Sequence, residues 1–256
     1  RIIERSEGRD VYDLAGLGVP LIEVGTHADI KSPLQAREVA LKLGEVLRLT
    51  GEAQRGLGTI RQDVNVSIEG GARVEVKGFQ DVNELPELIE NEVKRQESLI
   101  ELSGELTGYE LRRVNVTKFF QDSDSNVTNG REKILSLVLP GFKGLLKREL
   151  CPGLTLGAEL AGYARSQGVK GLIHSDEDLS KYKLTDEFAL ARNELGLNEG
   201  DLLLIIAGPE ELVNKAISVV AERVYLLNDG VPEETRVARD SITFYARPLP
   251  GGARMY

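Results

Sequence analysis

Five polar residues recur at every second position in two short segments that are predicted to be β-strands. They are Arg61, Asp63 and Asn65 in the first segment and Glu75 and Lys77 in the second. Because successive side chains of a strand point to opposite faces, each set shares one face. Such a face could hold the phosphates of ATP and a Mg²⁺ ion, with Arg and Lys neutralising charge. It could also be a solvated surface of cross-strand ion pairs, each stabilising by about 0.2–1 kcal/mol, and the pattern alone favours this second interpretation.

The loop between the two segments decides which residues stand opposite each other. A two-residue Gly-Gly loop would mix apolar and polar residues on one face. A three-residue loop, 69–71, keeps both faces uniform, and we therefore predict it. The predicted cross-strand pairs are Val64 with Val76, Val66 with Val74, Asp63 with Lys77, and Asn65 with Glu75. The result is a hairpin with one apolar face and one ionic face.

A second candidate is Glu23, which is the only charged residue in the apolar run 19–25. The length of this run predicts a buried strand. An ionised carboxylate in a buried strand is costly unless it is paired or bound to a cation. Glu23 is therefore either a metal ligand or a residue on an exposed face or beside a local arginine, and the residues alone leave these alternatives open.

Composition excludes several classes of protein. The chain has 256 residues with 32 Lys+Arg and 41 Asp+Glu, a net charge of -9. It has no apolar run near the ~20 residues of a membrane span and no P-loop motif. One cysteine, Cys151, excludes a disulfide framework and favours a cytoplasmic protein. With only His27 and His174, a site for a hard cation must use carboxylates, which suits Mg²⁺.

The net negative charge argues against indiscriminate binding of nucleic acid. An RNA partner could still be held by local basic patches. The candidates are Lys143, Lys147 and Arg148, and the arginine-rich end of the chain. Ordinary scatter of surface charge is the alternative at both places.

The elements that would position these residues indicate an α+β fold. We predict a helix that begins at Ser32-Pro33 and ends before Gly51, a second helix over 83–104, and a strand over 109–117. The polar stretch 121–130 is the best domain boundary. A second block to about residue 230 alternates strands and helices, and the remaining residues return to strand character. We therefore predict a partial catalytic domain with an antiparallel sheet over 1–130, an inserted small α/β domain over 131–230, and a return to the first domain over 231–256.

Several separate segments make a family recognisable. They are VPLIEVG around Glu23, GTIRQDVNVSI at 58–68, GARVEVK at 71–77 and KRQ at 94–96. In order and spacing they closely resemble the B/E subunit family of tRNA-dependent amidotransferases. The block that begins with LPGF at 139–142 resembles the GAD insertion domain shared with bacterial aspartyl-tRNA synthetases. An insertion of this kind points to the archaeal branch of the family.

The resemblance implies a cradle-type catalytic domain that uses ATP and Mg²⁺ to phosphorylate the γ-carboxylate of glutamate on mischarged tRNA(Gln). Ammonia from an asparaginase-like amidotransferase partner, the D subunit, then attacks the acyl phosphate. In this family the glutamate of the PLIE motif is a Mg²⁺ ligand, which here is Glu23. The resemblance also implies that one wall of the kinase pocket is formed by five residues, namely Arg61, Asp63, Asn65, Glu75 and Lys77.

Departures from the family pattern limit the implied activity. The other metal ligands of the family lie in segments that would precede Arg1, so we expect this chain to be a fragment that is inactive alone. At 27–28 the chain has His-Ala where bacterial relatives have Glu-Pro. The alternative function is a non-catalytic module that binds tRNA or assists assembly.

Overall fold

Two structural units divide the chain after Ser32. The computed structural model of the protein describes residues 2–6, 9–15, 18, 21–54, 56, 59–106 and 108–249. The first unit covers Arg1–Ser32 and the second covers Pro33–Tyr256. Each unit is described below by itself.

The first unit contains an antiparallel pair of strands, β1 (Ile2–Ser6) and β2 (Arg9–Tyr12). The strand predicted over 19–25 is wrong for residues 21–25, which have no regular secondary structure; Val19 and Pro20 lie outside the described residues. Leu21 and Ile22 are 89% and 86% exposed. Apolar residues alone do not make a strand, because a buried strand also needs neighbouring strands and a covering layer.

Six helices occur in the described part of the second unit. They are α1 (Pro33–Leu49), α2 (Leu85–Glu105), α3 (Thr117–Phe120), α4 (Leu156–Ser166), α5 (Thr185–Glu194) and α6 (Glu210–Tyr225). The two helices predicted before residue 105 are thus confirmed, with α2 beginning two residues later than expected. The side chain of Thr155 caps α4 by accepting a hydrogen bond from the Ala158 amide at 3.2 Å.

Ten strands in the described part of the second unit form two four-stranded sheets and one two-stranded pair. They are β3 (Val64–Val66), β4 (Val74–Lys77), β5 (Arg112–Asn115), β6 (Lys133–Leu139), β7 (Glu149–Cys151), β8 (Leu154–Thr155), β9 (Ile173–His174), β10 (Leu202–Gly208), β11 (Glu234–Arg239) and β12 (Ile242–Pro248). One sheet has the order β12-β11-β4-β3 and the other has the order β5-β6-β10-β9.

The β12-β11-β4-β3 sheet carries the predicted ionic hairpin. Strands β3 and β4 are antiparallel, and Val64, Asn65 and Val66 stand opposite Val76, Glu75 and Val74. The predicted register is therefore confirmed, and in the connection between the two strands the Gly71 amide donates to Ile68 O at 3.0 Å. The sheet is mixed rather than purely antiparallel as predicted, because β11 pairs with β4 in parallel. Parallel neighbours need a long crossover, and here the whole segment between Lys77 and Glu234 provides it.

The chain returns to this sheet with β11 and β12, which are antiparallel neighbours.

The second sheet is entirely antiparallel, and its strand β5 pairs with β6. Strand β5 precedes residue 130 and β6 follows it, so one sheet includes residues from both sides of the predicted boundary. The domain limits drawn from the sequence stay a prediction.

Candidate functional site

A lysine between two carboxylates forms the centre of the ionic face. The Lys77 ammonium lies 2.5 Å from Asp63 Oδ2 and 3.1 Å from Glu75 Oε1. The side chains are partly exposed, at 32% for Lys77, 45% for Asp63 and 20% for Glu75. The three groups are therefore held together and remain accessible to a ligand.

The environment of Lys77 keeps its ammonium group charged. Burial by itself would lower the pKa of Lys77, but the hydrogen bonds and charges of Asp63 and Glu75 outweigh burial and raise it. Two carboxylates against one ammonium leave the cluster with a net charge of about -1 at neutral pH. Lys77 can thus act as a fixed positive charge but not as a base.

Glu75 is also held from the neighbouring strand. The Thr235 hydroxyl donates a hydrogen bond of 3.0 Å to Glu75 Oε2, while Oε1 faces Lys77. Thr235 stands beside Glu75 in the parallel pairing of β11 with β4 and is only 1% exposed. Both oxygens of Glu75 are therefore engaged. By contrast, Asp63 Oδ1 makes no hydrogen bond to any residue that the structure describes.

Three further residues were predicted to belong to the site, namely Asn65, Arg61 and Glu23. Asn65 is exposed and stands opposite Glu75 in the hairpin. Arg61 is exposed and lies in the segment before β3. Glu23 is exposed in the first unit, as in the alternative that places it on an exposed face, so burial gives no reason for a cation there. The interpretation of Glu23 as a metal ligand now depends on the family resemblance alone.

The predicted site residues supply too few ligands to bind a metal ion by themselves. Within the described ranges, no group of three or more His, Cys, Asp or Glu side chains is arranged to hold a metal ion. Mg²⁺ in nucleotide sites is held by one or two carboxylates together with waters and substrate phosphates. Asp63 offers one free carboxylate oxygen, but the described residues do not form a metal site by themselves.

Beneath the ionic face lies a buried cluster of charged residues that the sequence analysis missed. Its members are Glu92, Arg95, Glu159, Glu234 and Arg236, and each is at most 2% exposed. They come from α2, α4 and β11. Glu234 and Arg236 flank Thr235 in β11, so strand alternation points them away from the ionic face. One strand thus contributes to the candidate site on one face and to the buried cluster on the other.

Arg236 is the most highly bonded member of the cluster. Its two terminal nitrogens donate to Glu159 Oε1 and Oε2 at 2.8 and 2.7 Å. It also donates to Glu234 and, at 2.8 Å, to the Thr243 hydroxyl of β12. Burial would raise the pKa of Glu159, but Arg236 and Arg95 hold it far below its usual value, at about 2. The cluster therefore stays ionised and fixes β11 against α4.

Helical spacing supplied a signal that could have located part of this cluster. Glu92 and Arg95 lie between Leu88 and Leu99 on the buried side of α2. Gln96, on the same buried side, donates to Val66 O at 3.3 Å and accepts from the Ala72 amide at 3.3 Å. Charged residues inside an apolar stripe usually indicate buried ion pairs. Their partners in α4 and β11 are remote in sequence and carry no comparable signal.

The predicted basic patch is largely neutralised by neighbouring acids. Lys143 pairs with Glu199 at 3.0 Å, and Arg148 pairs with Glu101 and Glu105 at 2.8 and 2.7 Å. These pairs leave less positive charge there for an RNA than the sequence indicates. No helix in the described part of the chain has both the length and the apolar character needed to cross a bilayer.

A small cavity opens at the end of the same sheet. Its volume is about 330 Å³, and it begins at Gly78, the residue after Lys77, and includes Arg239 and Asp240 after β11. It therefore lies at the carboxyl ends of the parallel strands β4 and β11. Open sheets that contain parallel strands commonly bind ligands at that edge.

The fold and the candidate site define an α+β protein with an accessible ionic face on a mixed sheet. The model of the GatB/GatE catalytic domain matches residues 1–192. The chain belongs to this family. It is 47% identical over 259 residues to the E subunit of the glutamyl-tRNA(Gln) amidotransferase of Methanopyrus kandleri, covering 96% of this chain and 40% of that protein.

Further relatives carry the same name. The E subunit of Haloarcula marismortui is 46% identical over 263 residues, covering 99% of this chain and 42% of its own length. That of Methanocaldococcus jannaschii is 44% identical over 268 residues, covering 100% of this chain and 42% of its own length. The chain thus spans about two fifths of the length of the curated relatives it matches.

Proposed function

We propose that this chain forms part of the catalytic domain of a subunit that converts Glu-tRNA(Gln) to Gln-tRNA(Gln) with ATP. The names of the relatives support the reaction class. The observation that carries the site assignment is the position of the Lys77 ammonium between Asp63 and Glu75 on an accessible sheet face.

The proposed reaction has two steps. The γ-carboxylate of the tRNA-linked glutamate attacks the terminal phosphorus of ATP, which gives an acyl phosphate and ADP. Ammonia then attacks the acyl carbon, and inorganic phosphate leaves. An asparaginase-like partner, the D subunit, would supply the ammonia, and glutamate-charged tRNA(Gln) would be the second substrate.

The residues of this chain would act on charge and position. Lys77, held in its charged form, would attract a phosphoryl oxygen, since fixed positive charges stabilise developing negative charge. Glu75 and Asp63 fix the direction of that ammonium. Mg²⁺ bound with ATP would neutralise further phosphate charge, and Asp63 would offer it the carboxylate oxygen that accepts no hydrogen bond from the described residues. Glu23 remains a proposed Mg²⁺ ligand on the family resemblance alone.

A variant of Lys77 tests this proposal. Lys77→Met in the complete subunit, assembled with its partner, should lower Gln-tRNA(Gln) formation about 100-fold or more, because a group that stabilises transferring charge is worth roughly that much. Lys215→Met is the matched control, since Lys215 pairs with Glu211 on the surface of α6. If the chain were only a tRNA-binding or assembly module, both variants would form Gln-tRNA(Gln) at the wild-type rate.

A further inference from the structure

A row of side chains crosses all four strands of the ionic sheet. Asn65 stands opposite Glu75, Glu75 stands beside Thr235, and Thr235 stands opposite Arg247 of β12. Side chains of directly paired residues lie on the same face of a sheet. The pairing therefore places Arg247 on the face that carries Lys77 and Glu75.

A one-residue bulge in β12 puts Arg247 there. Arg236 pairs with Tyr245, but the preceding residue Thr235 pairs with Arg247, so Ala246 is an extra residue. Tyr245 lies on the buried side, where its ring stacks on Tyr163 with centroids 3.9 Å apart. Regular alternation would send Arg247 to that same buried side. Bulges commonly redirect a side chain beside a functional site.

The backbone of Arg247 is constrained further by the next residue, Pro248. A residue that precedes proline is restricted to extended conformations. The direction set by the bulge is therefore kept up to the end of the strand.

A second cation would strengthen the hold of this face on a phosphate. In the Asp63, Glu75 and Lys77 cluster two carboxylates stand against one ammonium, so Lys77 alone offers a phosphate only part of the positive charge that it needs. Arg247 is exposed and, among the residues that the structure describes, has no hydrogen-bond or ion-pair partner. Its guanidinium group can present two parallel donors to a phosphate, which makes it suited to this ligand.

We propose that Arg247 binds a phosphate group of ATP on this face, with the phosphate lying over β11 between Arg247 and Lys77. This inference depends on the function proposed above and adds a binding residue to it. Strands β4 and β12 are two strand spacings apart, about 10 Å, a distance that long side chains from both strands can span to reach one phosphate. Val237 and Thr235 of β11 separate the two strands on this face, and the Thr235 hydroxyl is bonded to Glu75.

The test measures equilibrium binding of ATP to the complete subunit assembled with its partner, by calorimetry. Arg247→Ala should weaken ATP binding about tenfold or more, because it removes a charge-assisted contact, and Arg247→Lys should retain part of the affinity. Arg165→Ala is the matched control, since Arg165 is exposed on α4. Deletion of Ala246 should reproduce the loss of affinity seen in Arg247→Ala, because it removes the bulge.

Several outcomes would overturn the inference. ATP binding by Arg247→Ala within twofold of wild type would remove Arg247 from the site. Weaker binding of tRNA with unchanged binding of ATP would assign Arg247 to the RNA backbone instead. Should the deletion variant fail to fold, as judged by circular dichroism, the two substitutions decide the matter.

The same measurement separates this inference from the proposed function. Unchanged ATP affinity in Arg247→Ala, together with lost activity in Lys77→Met, would reject the inference alone. Unchanged activity in Lys77→Met would reject the proposed site whatever Arg247 does.

Discussion

The ammonium of Lys77 lies 2.5 Å from Asp63 Oδ2 because the antiparallel pairing of Val64 with Val76 brings the two adjoining residues opposite each other. A loop shorter or longer by one residue would move each side chain of one strand to the opposite face. The ion pair and the apolar underside of the hairpin are therefore set by the same register. Loop length is accordingly a determinant of the site as well as of the fold.

Gly71 of this loop should not tolerate a side chain. A Cβ at position 71 would collide with Gln96 Oε1 and would lie 2.9 Å from a side-chain carbon of Ile68. Gln96 is fully buried and cannot move away without losing its bonds to the loop. Gly71→Ala should therefore lower the free energy of unfolding by about 1–3 kcal/mol, measured in urea. Gly104→Ala is the control, because nothing lies within 4 Å of its Cβ position in α2, and it should be neutral or stabilising.

Two buried arginines should differ strongly in their effect on stability. Arg236→Met would leave Glu159 and Glu234 buried without their main cation, at a cost of about 3–5 kcal/mol. Arg223 is 1% exposed, yet none of its guanidinium nitrogens has a hydrogen-bond partner among the described residues. Arg223→Met should therefore change stability by less than about 1 kcal/mol, or increase it. Equal losses in thermal unfolding would contradict this account of the cluster.

The buried cluster predicts how stability depends on acidity. The pKa of Glu159 is about 2 in the folded chain against 4.5 ordinarily, and the pKa of Glu92 is also lowered. A lowered folded pKa gives stability that is fully present above about pH 4.5 and is lost as the pH falls toward 2. Unfolding in urea at pH 7, 4 and 3 should show this loss. In Glu159→Gln the chain should be less stable at pH 7 but lose less on acidification; an unchanged slope would argue against an ionised Glu159.

The local sequence pattern was sufficient to predict the hairpin and the two long helices before residue 105. Alternation with a Gly-Gly turn defined the pairing of β3 with β4, and helical spacing with Ser32-Pro33 defined α1. The parallel pairing of β4 with β11 could not be predicted, because it joins residues about 160 positions apart, and no local signal specifies such a contact. The run around Glu23 shows the converse, since its apolar residues predicted a strand that the structure does not form.

The site was predicted where its residues are close in sequence. Asp63, Glu75 and Lys77 meet as their register required. Thr235 and Arg247 were missed as members of this face, because their positions depend on the return of β11 and on a bulge in β12. A bulge adds one residue without a distinctive sequence, so alternation alone sends Arg247 to the wrong face.

Trapping of the acyl phosphate tests the central claim most directly, namely that the Lys77 cluster serves phosphoryl transfer to the tRNA-linked glutamate. The complete subunit with its partner, supplied with ATP and Glu-tRNA(Gln) but no ammonia, is treated with hydroxylamine, which converts an acyl phosphate to a hydroxamate. We predict hydroxamate with wild type and with Lys215→Met, and about 100-fold less with Lys77→Met. Equal amounts of hydroxamate from all three proteins, with unchanged folding, would contradict the account.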